Sequence, residues 1–569
     1  MLNYSANGPS GYNLTNSLRL RNSASAYLTR TATTAPTDGK KLTLSCWVKR
    51  GILTGNYYIM QSGAGVGNDN YSGFYFQSNN TLVVSMYSVT PRITTQVFRD
   101  PSAWYHLVLA YDTTQATASD RAKLYVNGVQ ITSFTTNGTI PQNTLIAFTK
   151  QSQAVYIGTA SDEATYFDGY MTEFNLIDGQ ALTPSSFGNT NSTTGVWQPA
   201  KYTGAYGTNG FYLKFADTSA ATAAAIGKDS SGNGNNWTPS GISVTAGTTY
   251  DAMLDVPTLT SATVANYATL NTLTFAGTVS EANLRAASAG TDYKILGTLG
   301  VSSGKWYWEF IANNAPGGDV YGVANLLTPT SPTDTTSLSV AGTFARVNTG
   351  TQWYENGSLL SKTISTLSAG GIIQFALDVD NQKIWVGING TWQASGDPAA
   401  GTNPISSNLT SGQTWFPYLQ FRSATSNISA NFGQRPFTYT PPTGFNAWNT
   451  YNLPTPTILQ GNKYMDAVTY NGSDGSQKIV MPAQFYPDLV WAKSRNNATN
   501  NILMDSVRGG NLYLSSNTTT GDTTSTGLAT FSSNGITWTG GASGVNASTY
   551  TYVDWAWNAG SGSTSSNTA

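Results

Sequence analysis

Apolar residues in this chain recur at every second position, in short runs that Gly, Asn, Pro or Ser-Thr clusters cut before any helical length is reached. Successive side chains of a strand point to opposite faces, so a two-residue period specifies sheets with an apolar side. The clearest cases are KLYVNGVQIT, residues 123–132, and KIWVGINGTW, residues 383–392. Asn and Gly both accept positive φ, so each Asn-Gly reads as the type I′ turn that joins two right-twisted strands. In the first hairpin Leu124 and Val126 share one face, and Lys123 and Tyr125 the other. In the second, Ile384, Val386 and Ile388 oppose Lys383, Trp385 and Gly387. A lone hairpin is marginal in water, so each needs a larger sheet to pack on. The best helical candidate is DTSAATAAAIG, residues 217–227, which is short and Ala-rich.

At 569 residues the chain is too long for one core, and roughly three or four domains are expected. Charged residues make up 10% and the net charge is −1. Nucleic acid demands a basic surface, so no nucleic-acid partner is expected. Electrostatic attraction to anionic membranes is absent too, and no apolar run approaches the ~18 residues that would span a bilayer. Solubility rests on Ser, Thr, Asn and Gly, a surface that suits secreted or virion β-proteins. There is one Cys and one His. Cys46, in LTLSCWVKR, reads as a small buried apolar residue, and no internal disulfide can form. The start, MLNYSANGPSGYNLT, lacks the basic and apolar regions of a signal peptide. An extracellular-looking surface without an export signal points to release by lysis, from the host cytoplasm.

Three resemblances organise the chain. Trp104, His106, Tyr111, Leu124, Tyr125, Val126, Asn127, Gly128, Asp168, Gly169 and Glu173, in that order, resemble the laminin G-like branch of the concanavalin A-like sandwiches. The resemblance implies two antiparallel sheets in a jelly roll over residues 1–190. GKWYWEF (304–310), Gly322, Val323, Asp378, Asp380, Ile384, Trp385, Asn389, Gly390, Asn431, Phe432 and Gly433 resemble the SPRY domain, a second two-sheet sandwich over residues 261–450. Residues 191–260 between them read as a connector with one strand and a Ser-Gly-Asn loop. Residues 451–569, with PDLVWAKSR, Asp505, Arg508, Gly509 and Trp555-Ala556-Trp557, look like a β-domain found in large tailed-phage virion proteins. The final SGSTSSNTA is low-complexity, like a linker cut short. The expected fold class is therefore all-β: tandem antiparallel sandwiches plus a smaller C-terminal β-domain.

Catalytic groupings are scarce. His106 lies inside an alternating strand, where the laminin G-like pattern carries a structural His. One His with one Cys cannot build a zinc site. Asp378 and Asp380 point to one side of a strand, as a glycosidase pair would, yet they sit where the SPRY pattern places them without catalysis. Asp162-Glu163 is a loop pair whose side chains diverge. Asp229, Asn233 and Asn235 share a loop, but no bidentate Glu follows, so a self-bonded turn is the expected reading rather than calcium. No enzyme, metal or cofactor is expected.

Binding is better supported. Aromatics beside turns, next to Asn or Asp, can stack on sugar rings and bond their hydroxyls. Trp353, Tyr354, Trp392, Tyr166 and Asp168 are the candidates; the plain alternative is that each caps a sandwich core. The resulting expectation is a tailed-phage virion protein, foremost a tail-fibre or receptor-binding adhesin contacting host surface glycans. Other virion proteins would be its partners and, by analogy, it would be a homotrimer. A capsid decoration protein and a glycan-cleaving enzyme are the alternatives.

Overall fold

The computed structural model describes residues 11–63, 70–86, 89–288, 290, 293–314, 317–325, 342–347, 352–362, 364–542 and 544–559. The Ser-rich end expected as a linker, 561–569, lies outside the described residues. Strands and single 3₁₀ turns make up the regular structure. The helical candidate 217–227 forms only a turn, with Gly227 N donating to Thr222 O at 3.0 Å and Ile226 N to Ala220 O at 3.3 Å. So short a segment lies below the ~12–15 residues at which a helix sustains itself, and Ile226 is drawn instead into a core shared with Phe211 and Trp237.

The first sandwich has two antiparallel sheets. One runs, edge to edge, through Val129–Gln130, Ala122–Val126, Trp104–Asp112, Lys41–Arg50, Gly169–Asp178, Ser17–Leu20 and Ala252–Met253. The other runs through Phe134–Asn137, Arg92–Val97, Thr81–Met86, Ser72–Phe76, Tyr57–Ser62, Ala154–Ile157, Tyr27–Thr31 and Thr238–Ser240. Leu107, Leu109 and Tyr111 meet Leu124, Val126, Phe74 and Phe174 between the sheets, as the alternation requires. Residues 191–260 are more than a connector. Phe211–Leu213 pairs with Gly169–Asp178, Thr238–Ser240 with Tyr27–Thr31, and Ala252–Met253 with Ser17–Leu20. These strands saturate backbone groups that open sheet edges would leave bare.

The second sandwich follows the same logic. Its larger sheet runs Thr278–Ser280, Arg285–Ala287, Asn427–Asn431, Lys305–Ala312, Ile372–Asp378, Lys383–Ile388 and Thr391–Trp392. Its smaller sheet runs Tyr293–Leu296, Trp415–Phe421, Val320–Asn325, Thr343–Val347, Gln352–Glu355 and Ser358–Ser361. Trp308 stacks on Phe375 at 4.9 Å inside, with Trp448 edge-on at 5.0 Å.

The two sandwiches belong to one compact unit that ends at Thr455. Trp47, Trp104, Tyr170 and Met253, on the outer side of the first sheet, join the hydrophobic cluster of the second sandwich. Tyr170 donates to Ala282 O at 2.9 Å. Lys49 is fully buried and donates to Asp255 Oδ2, Asn266 Oδ1 and Tyr267 O, each at 2.8 Å. Strict alternation predicts one buried side for each hairpin. In fact both sides are covered: Tyr125 packs with Phe187, and Trp385 with Tyr307, Ala376 and Phe445.

The second unit begins near Pro456. Met465–Asn471, Thr551–Trp557, Leu489–Ser494 and Ile502–Asp505 form one sheet, and Gln477–Val480, Gly535–Trp538 and Ala529–Ser532 another. Ile479, Val490, Met504, Ile536 and Trp538 fill the space between. Asp554 is buried there, accepting from Trp538 Nε1 at 2.8 Å and Tyr470 OH at 3.1 Å, and burial pushes its carboxyl up to about 7.

Candidate functional site

The most distinctive surface is the outer face of the second sheet of the first sandwich. Tyr57 pairs with Phe76 and both enter the core, so the next pair, Tyr58 and Tyr75, faces outward with ring centroids 4.6 Å apart. A bulge after Tyr58 returns Met60 to the core opposite Phe74. Gln61 then faces out, opposite Gly73 on one side and Tyr156 on the other. A Cβ on Gly73 would lie 2.8 Å from the Tyr71 hydroxyl and 2.7 Å from Ser85 Oγ. The missing side chain is what lets Tyr71 lie over the sheet, its hydroxyl 2.8 Å from Ser85 Oγ. Gln61 Nε2 donates to Ser161 Oγ at 3.1 Å, and Ser161 N donates back to Gln61 Oε1 at 3.2 Å. Farther across, Tyr27 lies 6.1 Å from Tyr156 and 6.2 Å from Tyr166.

Tyr27, Tyr58, Tyr75, Tyr156 and Tyr166 are all half-buried, so each presents part of a ring to solvent. Burial pushes the phenols of Tyr27 and Tyr58 up, and that of Tyr75 up to about 12. They therefore stay neutral at physiological pH and keep their hydroxyl hydrogens. The face offers flat apolar rings beside neutral hydroxyl groups, and Gln61, 3% exposed, braces Ser161 beneath them. Such a surface can stack on the C–H face of a sugar and exchange hydrogen bonds with its hydroxyls.

Of the residues singled out in the sequence, only Tyr166 belongs to this face; its hydroxyl donates to Glu163 O. Asp168 does not reach it. The side chain is 1% exposed, and its carboxylate accepts from Ala282 N at 2.8 Å and Asn22 N at 3.3 Å. Burial pushes its carboxyl up to about 7. It ties the first sandwich to the second and cannot meet a ligand from solvent. Trp353 is likewise corrected: it is fully buried, donating from Nε1 to Glu355 Oε1 at 3.1 Å, because it takes the inward position of Gln352–Glu355. Tyr354 is half-buried on the outer face of the smaller sheet, beside Phe416 and Tyr418. Trp392 is half-buried 6.5 Å from Tyr307. Tyr354 and Trp392 thus sit on opposite sheets of the second sandwich. The turn-adjacent rule missed Tyr27, Tyr58, Tyr71, Tyr75 and Tyr156. For Tyr58 and Tyr75 the signal was an aromatic residue at the solvent-side position of NYYIMQS and SGFYFQS, and for Tyr27 and Tyr156 the same in SAYLTRT and AVYIGTA, where alternation calls for polar ones.

The groups weighed for catalysis have structural partners. His106 is 1% exposed between Trp47 and Trp197, at 4.9 and 5.9 Å. Trp197 Nε1 donates to its Nδ1 at 2.9 Å, so Nε2 carries the proton and donates to Ser45 Oγ at 2.9 Å. Burial pushes the imidazole down to about 3. Cys46 is buried in the first core, which pushes its thiol up. Asp378 is buried and accepts from Asn381 N at 3.0 Å, with Lys305 Nζ 3.4 Å away, whereas Asp380 is exposed and accepts from Gly304 N at 2.9 Å. Asp162 accepts from Ala164 N at 3.1 Å. Asp229 accepts from Tyr212 N, Ser231 N and Asn235 N at 2.8–2.9 Å, the self-bonded turn expected. Among the described residues, no group of three or more His, Cys, Asp and Glu side chains could hold a metal, and no helix is long and apolar enough to cross a membrane.

Residues 22–188 match the concanavalin A-like lectin/glucanases superfamily, and residues 460–569 match a domain of unknown function (DUF7483). No protein of curated function matches the sequence. Solved structures similar to parts of the chain include the SPRY domain of human HERC1, at 20% identity over 26% of this chain and 87% of that one, with a TM-score of 0.21. The heptameric SAP-like pentraxin of Limulus polyphemus is 19% identical over 28% and 71%, with a TM-score of 0.22. The TRIM65 PSpry domain is 11% identical over 29% and 89%, with a TM-score of 0.23.

Proposed function

We propose that this chain is an adhesin of a tailed-phage virion, a tail-fibre or receptor-binding component, that grips neutral glycans of the host surface through the tyrosine face of its first sandwich. The observation that carries the reading is that face, with Tyr27, Tyr58, Tyr75, Tyr156 and Tyr166 half-buried around Gln61 and Ser161. It lies within the segment that matches the lectin/glucanases superfamily, a sandwich suited to carbohydrate binding or adhesion. The low charge favours ligands recognised by stacking and hydroxyl exchange over ionic ones. Each contact is weak, and assembly into a homotrimer on the particle, together with other virion proteins, would make the sum avid.

The test is a glycan array probed with the full chain and with Tyr27→Ala and Tyr75→Ala. Each variant should lose about tenfold in affinity, the loss of about one stacking contact, with its circular dichroism and melting temperature unchanged. Binding equal to the parent in both variants, or no glycan bound at all, would sink the reading. Immuno-electron microscopy of particles then decides position: tail label supports the adhesin, and capsid label replaces it with a decoration role.

A further inference from the structure

Where the two sandwiches meet there is a cavity of about 60 Å³. Its lining is unusual for a protein with so little charge. Three arginines, Arg19, Arg285 and Arg435, line it with a single acid, Glu281. Arg19 comes from the strand Ser17–Leu20 of the first sandwich, and Arg285 from Arg285–Ala287 of the second.

The hydrogen-bond accounting leaves donors over. Arg19 is fully buried; its Nε donates to Asp251 Oδ1 at 2.9 Å and its Nη2 to Thr248 O at 2.7 Å, but its Nη1 is buried with no partner. Arg435 is 2% exposed and donates from Nη2 to Ala430 O at 3.0 Å, and no ion pair neutralises it among the described residues. Burial, and after it the charge of Arg19, push its guanidinium down to about 9. Glu281 is already shared by Arg21 Nη1 at 3.5 Å, Arg285 Nη1 at 3.9 Å and the Ser23 hydroxyl, while Arg285 Nε donates to Asn427 Oδ1 at 2.7 Å and leaves its Nη groups for the cavity. Asp251 is taken by Arg19 and Arg21. Two other acids spend their hydrogen-bonding capacity elsewhere, Asp168 on backbone N–H groups and Glu309 on Thr438 N and Tyr439 N at 3.0 and 2.9 Å, and Glu309 and Glu281 offset the depression of Arg435 only in part. Ser429 Oγ accepts from Asn313 Nδ2 at 2.8 Å and keeps its own hydrogen to donate.

We propose that this cavity is a site for a small oxyanion, a phosphate, sulfate or carboxylate group, held between Arg19 Nη1, Arg285 and Arg435. A buried guanidinium left without an anion is costly, and charge-assisted bonds to an oxyanion remove the deficit. The cavity admits about four to six water-sized groups, which is the size of a tetrahedral ion or of the acid group of a larger molecule, not of a whole sugar ring. The anion would bridge both sandwiches and so stabilise their union. This inference does not depend on the tyrosine face, which lies on the other sheet of the first sandwich.

Isothermal titration of the full chain with sulfate, in chloride buffer of constant ionic strength, should give saturable binding to one site. Arg285→Gln, whose side chain is 37% exposed and so leaves the fold intact, should weaken it by about tenfold or more. Arg435→Gln should weaken it further. Titration with phosphate and with glucuronate separates the sources. Binding of the inorganic ions alone assigns the site to free tetrahedral anions, and binding of glucuronate assigns it to the acid group of a sugar. Saturable binding of none of the three, or binding that Arg285→Gln leaves unchanged, overturns the proposal.

Discussion

His106 is the single histidine of the chain, and it sits where a proton cannot easily be added. Its Nδ1 is committed as an acceptor to Trp197, its ring lies against Trp47, and its pKa is pushed down to about 3 from an ordinary 6.5. Below pH 6.5 the unfolded chain takes up a proton that the folded chain refuses. Stability from this residue is therefore full above pH 6.5 and is lost progressively as pH falls toward 3, by up to about 1.4 kcal/mol per pH unit. The lone imidazole Cε1–H proton resonance should not titrate between pH 8 and 5. An inflection near 6.5 would refute the buried neutral ring. That this His serves structure was legible in the sequence, because it falls in an alternating strand. Trp197 as its partner was not, because nothing local to either residue links positions 91 residues apart. Asp168 and Trp353 show the converse error. Being near a turn in sequence does not decide which side of a sheet a residue faces.

The repeated hairpin is explained at the level of the element. Asn127 and Gly128 have φ of 48° and 82°, Asn389 and Gly390 of 47° and 85°, and Asn356 and Gly357 of 48° and 88°, as type I′ turns require. Each Asn also bonds the preceding strand twice. Asn127 N donates to His106 O at 2.9 Å while its Oδ1 accepts from His106 N at 2.8 Å. Asn389 does the same with Ile372, at 2.9 and 2.8 Å. Asn356 N donates to Thr343 O at 2.8 Å, and its Oδ1 accepts from Gly342 N at 2.7 Å. The side chain thus extends the ladder one step past the strand end, which accounts for the shared wording without duplication. Gly128→Ala forces a Cβ at φ +82° to within 2.7 Å of the Trp197 ring. It should cost about 1–3 kcal/mol, read as a lower urea midpoint with an unchanged slope. A midpoint equal to the parent would show that the turn tolerates a side chain there. These turns were legible because Asn-Gly is a local signal. The bulge after Tyr58, which returns Met60 to the core and turns Gln61 outward, carries no such mark.

At the scale of the whole molecule, the alternation foretold the sandwiches but not their union. Trp47, Trp104, Tyr170 and Met253 occupy positions that period-two reasoning assigns to solvent, and they are buried because a second sandwich covers them. A chain ending at residue 260 should expose these side chains and bind the dye anilinonaphthalene sulfonate much more strongly than the full chain. A chain ending at residue 455 should not. Equal dye binding by all three would mean the shared cluster contributes little to holding the unit together.

The pairing of Ala252–Met253 with Ser17–Leu20 has a further consequence for synthesis. A nascent polypeptide emerging from the ribosome presents its first strand long before the partner exists. At roughly 5–20 residues per second, that edge waits on the order of tens of seconds, exposed to neighbouring polysomes and to chaperones, before the jelly roll can close.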